Sequence, residues 1–230
     1  MNVKRTAPFT GIAFAILFIA SVGVSTAPSN SASDATWVAA YATHGKQAAH
    51  LATGILLVLA ALSLMSFITD LWMRVVAAGQ QRNLSPLPIV AAGISAACIA
   101  SGGILMGAVS GSALLYSQPL PGADVLRVGN DVGFALVGVA GMLAAAVSVA
   151  SVSLQARAAG LFGTRLTRAS LVVAVLLIGS IAFVPILALL VWSIVVAVHL
   201  ARSGSAHEPR SAPSTAEAEA PLVSSLPAQP

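Results

Sequence analysis

Residues Ala169–Leu200 read ASLVVAVLLIGSIAFVPILALLVWSIVVAVHL, a run without one Asp, Glu, Lys or Arg and with Pro185 near its middle. As a single helix it would be roughly 48 Å long at ~1.5 Å per residue. A hydrocarbon core is only ~30 Å thick. Divided near Phe183-Val184-Pro185, the same run makes two short crossings joined by a tight turn. Pro185 favours division, because it lacks an amide donor and disfavours helix at the residue before it. The choice decides whether the number of crossings is odd or even, and so where the rest of the chain lies.

Four further apolar runs precede it, at about 10–27, 48–72, 88–115 and 130–154. With 169–183 and 185–200 they give six. The expected fold is therefore all-α: a polytopic membrane helix bundle of six transmembrane helices over residues 1–202. A short outer amphipathic helix accompanies it, and 203–230 follow as a disordered cytoplasmic tail. Pro209, Pro213, Pro221, Pro227 and Pro230 interrupt Ser, Ala and Glu in that tail, leaving too little apolar surface to offset chain entropy.

Charge placement supports the even count. With the N-terminus inside, the cytoplasmic side receives Lys4, Arg5, Arg74, Arg82, Arg157, Arg165, Arg168, Arg202 and Arg210, and the outer side only Lys46 and Arg127. That is the bias of the positive-inside rule. The expected location is a bacterial cytoplasmic (inner) membrane with both termini cytoplasmic. A rival reading takes the first run as a secretory signal, with basic Met1–Arg5, apolar Gly11–Val24 and small Ser25-Thr26-Ala27. Pro28 argues against cleavage after Ala27. A cut within Ser31-Ala32-Ser33 keeps that alternative open.

Composition excludes several classes. The chain is 57% hydrophobic and 8% charged, with a mean hydropathy of +0.92. A soluble domain carries about 25% charged residues, so lipid is the expected solvent and partner. The net charge of +4 is scattered over loops, which is not the gathered basic patch of a nucleic-acid binder. Cys98 is the only cysteine, which rules out an intrachain disulfide.

In the first outer loop, Ser33 or Asp34 is placed to cap a short helix carrying Trp37, Val38 and Tyr41 on one face. The plain reading rests Trp37 and Tyr41 at headgroup level; the sharper one makes the helix a lid. Asp70 and Arg74 can pair along the second span. Asp131 is placed as a helix-start residue of the fourth, facing the positive end of its dipole. His199 reads as interfacial.

Gly103, Gly107 and Gly111 recur every four residues and form a flat stripe where another backbone can approach. Gly133 and Gly141 offer a matching face on the fourth span. The expected pairing is between spans three and four of one chain, with a homo-oligomer seam as the alternative. The weak metal candidates are His44, His50, Asp34 and Asp131, since imidazole and carboxylate bind divalent ions. His50 follows His44 by six residues, which suits no compact helical pair. No His-Glu-x-x-His helix, nucleophile elbow or phosphate-cradling loop frames any of them, so neither a cofactor nor a catalytic residue is expected.

The segment Ser33-Asp34-Ala35-Thr36-Trp37-Val38-Ala39-Ala40-Tyr41-Ala42-Thr43-His44-Gly45-Lys46, set directly after a first span, resembles uncharacterised six-span integral membrane proteins of GC-rich bacteria, a domain-of-unknown-function type family. Arg202 after the closing spans fits the same pattern, and the tight turn at Pro185 departs from it. The resemblance implies a six-span fold and a membrane location, and no activity. Three functional classes remain: a non-enzymatic protein acting through packing, lipid or partner contacts; a small-solute permease or channel with a cavity lined by Thr53, Ser63, Ser101 and Ser148; and a membrane enzyme using the outer His/Asp residues.

Overall fold

A computed structural model of the chain describes residues 7–29, 31–78, 84–179 and 184–205. All regular structure among them is helical: α1 (Ala7–Val24), α2 (Asp34–Tyr41), α3 (His44–Ala78), α4 (Leu87–Tyr116), α5 (Ala123–Ala135), α6 (Met142–Ala158), α7 (Thr164–Ile178) and α8 (Val184–Ser205). A π-helical segment, Leu136–Gly141, joins α5 to α6 without a break.

Four stretches are long and apolar enough to cross a membrane: α3, α4, the continuous Ala123–Ala158, and Pro185–Arg202 of α8. This corrects the expectation of six full-length spans. The apolar part of α1 is the shorter Phe9–Val24. Helix α7 has 15 residues, about 22 Å. The second and fourth spans are longer than 48–72 and 130–154. Helix α5 starts at Ala123 behind Gly122, so Asp131 lies inside it and does not open it. Helix α7, expected as a fifth span at 169–183, runs over Thr164–Ile178, with Gly163 as its extended N-cap and Gly179 as its C-cap. Residues 203–205, expected in the tail, continue α8; 206–230 lie outside the described residues, as do 180–183 at the expected break.

Ala169–Leu200 is nevertheless two helices. The Trp192 indole N–H donates to Ser170 Oγ at 2.8 Å, and His199 Nε2 lies 3.3 Å from the Leu161 carbonyl oxygen. Paired positions move apart in sequence with distance from the turn, which is the pattern of an antiparallel hairpin.

The helices neighbour one another in a closed order, α1–α3–α4–α6–α7–α8 and back to α1. Phe14, Phe67, Ile68, Leu71, Met142 and Leu189 are fully buried between them. Between helices in lipid the hydrophobic effect is weak, so close packing holds them together.

Glycines set the closest approaches. A methyl placed on Gly54 of α3 would sit 2.5 Å from the Gly103 carbonyl oxygen, and one on Gly103 2.9 Å from the Gly54 oxygen. Gly107 and Gly111 also face α3, meeting Leu51. This corrects the expected partner of the stripe, which is span two and not span four. The fourth span takes the neighbouring face of α4: a methyl on Gly102 would lie 2.5 Å from the Gly133 oxygen, while Gly141 meets Ile99 and Cys98. Adjacent residues on a helix point about 100° apart. Gly102 and Gly103 therefore seat α4 between two neighbours at once.

Candidate functional site

Of the polar residues that sequence singled out, Asp34 and His50 lie where α2 packs against α3 and α5. Ser33 caps α2, its Oγ accepting from the Thr36 amide at 3.3 Å. At the other end, Lys46 Nζ donates to the Ala39 carbonyl at 2.8 Å, neutralising the negative end of the short helix.

Trp37 is fully buried and Tyr41 nearly so, in a cluster with Ala40, Ala123 and Leu126. This corrects the reading that rests both rings at headgroup level. Over Trp37 lies Arg127, which sequence reasoning placed on the outer side without a partner. Its guanidinium sits 5.7 Å over the Trp37 ring. It forms ion pairs with Asp34 at 2.9 Å and Asp124 at 3.4 Å, and donates to the Ala32 carbonyl at 3.1 Å. The available signal was that Arg127 is one of only two cations in the expected outer loops.

Behind α2, His50 is buried and stacked on Tyr41, with ring centroids 4.0 Å apart and planes 1° from parallel. Thr26 Oγ1 lies 3.2 Å from His50 Nε2, and the ring also bonds the Ala40 backbone. A neutral ring satisfies both neighbours if Nδ1–H donates to the Ala40 carbonyl and Nε2 accepts from Thr26. Gln47 Nε2 donates to the Tyr41 carbonyl at 2.9 Å. Burial pushes the Tyr41 phenol above its ordinary value. No short sequence pattern announces this group, since Thr26 and His50 stand 24 residues apart.

The four weak metal candidates do not share a centre. Asp34 is engaged by Arg127 and His50 by Tyr41 and Thr26. His44 is exposed at the first position of α3, and Asp131 is half-buried within α5. Among the described residues no three of His, Cys, Asp and Glu come together as a metal site would need.

Nor do Thr53, Ser63, Ser101 and Ser148 line one cavity. Thr53 Oγ1 donates to the Ala49 carbonyl, Ser63 to Leu59, and Ser148 to Pro88, while Ser101 is exposed. Ser95 and Ser148 share a small void with Leu64, Ile68 and Leu189 that leaves no room for a water molecule. Asp70 and Arg74 lie one turn apart on α3 and interact electrostatically.

These features define a class: an all-helical protein with four helices suited to crossing a membrane, one end of which is closed by a short, tightly held helix. Comparison of the chain with protein-family models, curated proteins and solved structures returns no match.

Proposed function

We propose that this chain is a six-span integral protein of a bacterial cytoplasmic membrane, non-enzymatic, with both termini cytoplasmic, acting through helix packing, lipid or partner contacts. The kinship suggested by the Ser33–Lys46 segment belongs to the same proposal. One observation carries it: Arg127 and His50 at the α2 end are engaged in holding α2 down. Arg127 serves Asp34, Asp124 and Ala32, and His50 serves Thr26, Ala40 and Tyr41. A catalytic centre keeps a nucleophile or base open to substrate, whereas Asp34 is paired with Arg127 and His50 is held between Tyr41 and Thr26.

Six spans are supported by the surfaces of the two shorter helices. Helix α1 exposes Phe9, Ile16, Ile19 and Val22, and α7 exposes Val172, Val175, Leu176 and Ile178. Apolar area of this extent needs lipid or a partner to cover it. Both helices also lie against full-length neighbours, α1 against α3 and α8, α7 against α6 and α8.

Cysteine accessibility tests the reading. In a Cys98→Ala background, Lys46→Cys should react with an impermeant maleimide from outside intact cells. Arg157→Cys should react only after permeabilisation. Labelling of both from one side would sink the topology, and labelling of Arg202→Cys from outside intact cells would sink the crossing by α7 that six spans require.

A further inference from the structure

We propose that the end of the bundle opposite α2 binds anionic phospholipid headgroups through Arg157, Arg165, Arg168 and Arg202. The inference rests on the membrane reading and adds a ligand class to it.

The four arginines are brought together by one ordered turn. Helix α6 closes with Gly160 at φ +75°, Leu161 N–H bonding the Ala156 carbonyl at 2.9 Å and Gly160 N–H bonding Arg157 at 3.0 Å. That is the Schellman arrangement, which fixes the path of the chain leaving a helix. Phe162 is buried next to it, edge-on to His199 with centroids 6.0 Å apart. Arg157 and Arg165 flank Leu161 by four residues on either side, and Arg168 follows Arg165 by one turn of α7. His199 meets the Leu161 carbonyl, which brings Arg202, one turn further along α8, to the same place.

Among the described residues their charge has no acidic partner. All four are exposed, and none forms an ion pair among the described residues. The chain has seven carboxylates. Asp34, Asp124 and Asp131 belong to α2 and α5, Asp70 lies beside Arg74, and Glu208, Glu217 and Glu219 fall outside the described residues. Arg165 and Arg168 also stand in the first turns of α7, where no acid offsets the positive helix end, so an external anion is favoured there.

The surroundings say which anion. Each face continues from its arginine into exposed apolar side chains: Leu154 one turn from Arg157, Val172 one turn from Arg168, and Val198 one turn from Arg202. A phosphate alone would leave that apolar surface uncovered. A phosphodiester carrying acyl chains matches both parts.

The test uses the full chain purified in micelles containing equal phosphatidylglycerol and phosphatidylcholine of identical acyl chains, with retained lipid counted by native mass spectrometry. The wild-type chain should retain phosphatidylglycerol in excess. Each of Arg165→Gln and Arg168→Gln should lower that retention about fivefold, Arg165→Lys should largely keep it, and Lys46→Gln at the α2 end should change nothing. Equal retention of the two lipids, or unchanged phosphatidylglycerol in the Gln variants, would overturn the proposal. So would a preference that emerges only in Glu208→Gln/Glu217→Gln/Glu219→Gln, which would assign the arginines to the tail. Alkaline carbonate extraction of membranes separates the two readings. A chain that resists extraction but shows no preference sinks the lipid inference alone; an extracted chain sinks the membrane reading as well.

Discussion

Arg127 and Asp34 stand 93 residues apart in sequence and 2.9 Å apart in space. This pair, with the Trp37 ring beneath the guanidinium, ties α2 to α5 across two loops. The pair is partly solvated, so the ionic part is worth about 1 kcal/mol at most, and the cation–π contact about 0.5–1 kcal/mol. Arg127→Ala should therefore loosen α2 without unfolding the bundle. Hydrogen exchange should quicken in Asp34–Tyr41 and stay unchanged in α6 and α7. Uniform protection across all of these would refute the latch.

Tyr41 and His50 form the second fastening. Tyr41→Ala removes a buried ring from the stack and should cost about 3–5 kcal/mol, while Tyr41→Phe keeps the stack and should cost far less. A pH effect follows from the raised phenol. The unfolded chain loses that proton around the ordinary value of 10.0, whereas the folded chain holds it longer. Stability contributed by Tyr41 is thus complete below pH 10 and declines as pH rises through the folded value. Tyr41→Phe should flatten that alkaline decline, measured by thermal melts across the range. An identical slope in both proteins would contradict the assignment.

The glycine seam makes a graded prediction. Gly54→Ala and Gly102→Ala each drive a methyl to 2.5 Å from a backbone oxygen of the facing helix. Two helices must then separate, at about 1–3 kcal/mol each. Gly107→Ala meets its neighbours only at 3.5 Å or beyond, and Gly45→Ala meets nothing within 4 Å. Both should melt close to wild type. If all four variants lost stability equally, close approach would not be the explanation, and helix propensity could not replace it, because Ala favours a helix over Gly.

The residues show where sequence reasoning reached and where it stopped. Apolar runs and Pro185 made the helices legible, because hydropathy and a missing amide are local properties. The Ser33 cap was legible for the same reason. Span lengths were not, since α5 begins at Ala123 and runs straight through Asn130 and Asp131, polar residues that look like a beginning. The partner of the glycine stripe was also hidden. Gly54 stands alone in its span, and only the fold reveals that Gly103 faces it while Gly102 turns to Gly133. At the α2 end the missing element was long-range: nothing near Arg127 in sequence indicates Asp34, and nothing near His50 indicates Thr26.

The Ser170–Trp192 bond offers the sharpest test of the closing hairpin. Ser170 Oγ donates to the Leu166 carbonyl at 2.9 Å and accepts from the Trp192 indole at 2.8 Å. Removing the two partners is therefore unequal. Ser170→Ala leaves the buried indole N–H without an acceptor, a cost of about 1–3 kcal/mol. Trp192→Phe removes that donor, and Ser170 keeps its bond to Leu166, so its cost arises from lost volume beside Phe67, whose ring meets Trp192 edge-on at 5.9 Å. Once Trp192 is Phe, Ser170→Ala should become nearly neutral. A double-mutant cycle should give a coupling of about 0.5–3 kcal/mol. Strict additivity would mean that α7 and α8 do not meet at these residues, and the antiparallel hairpin would have to be redrawn.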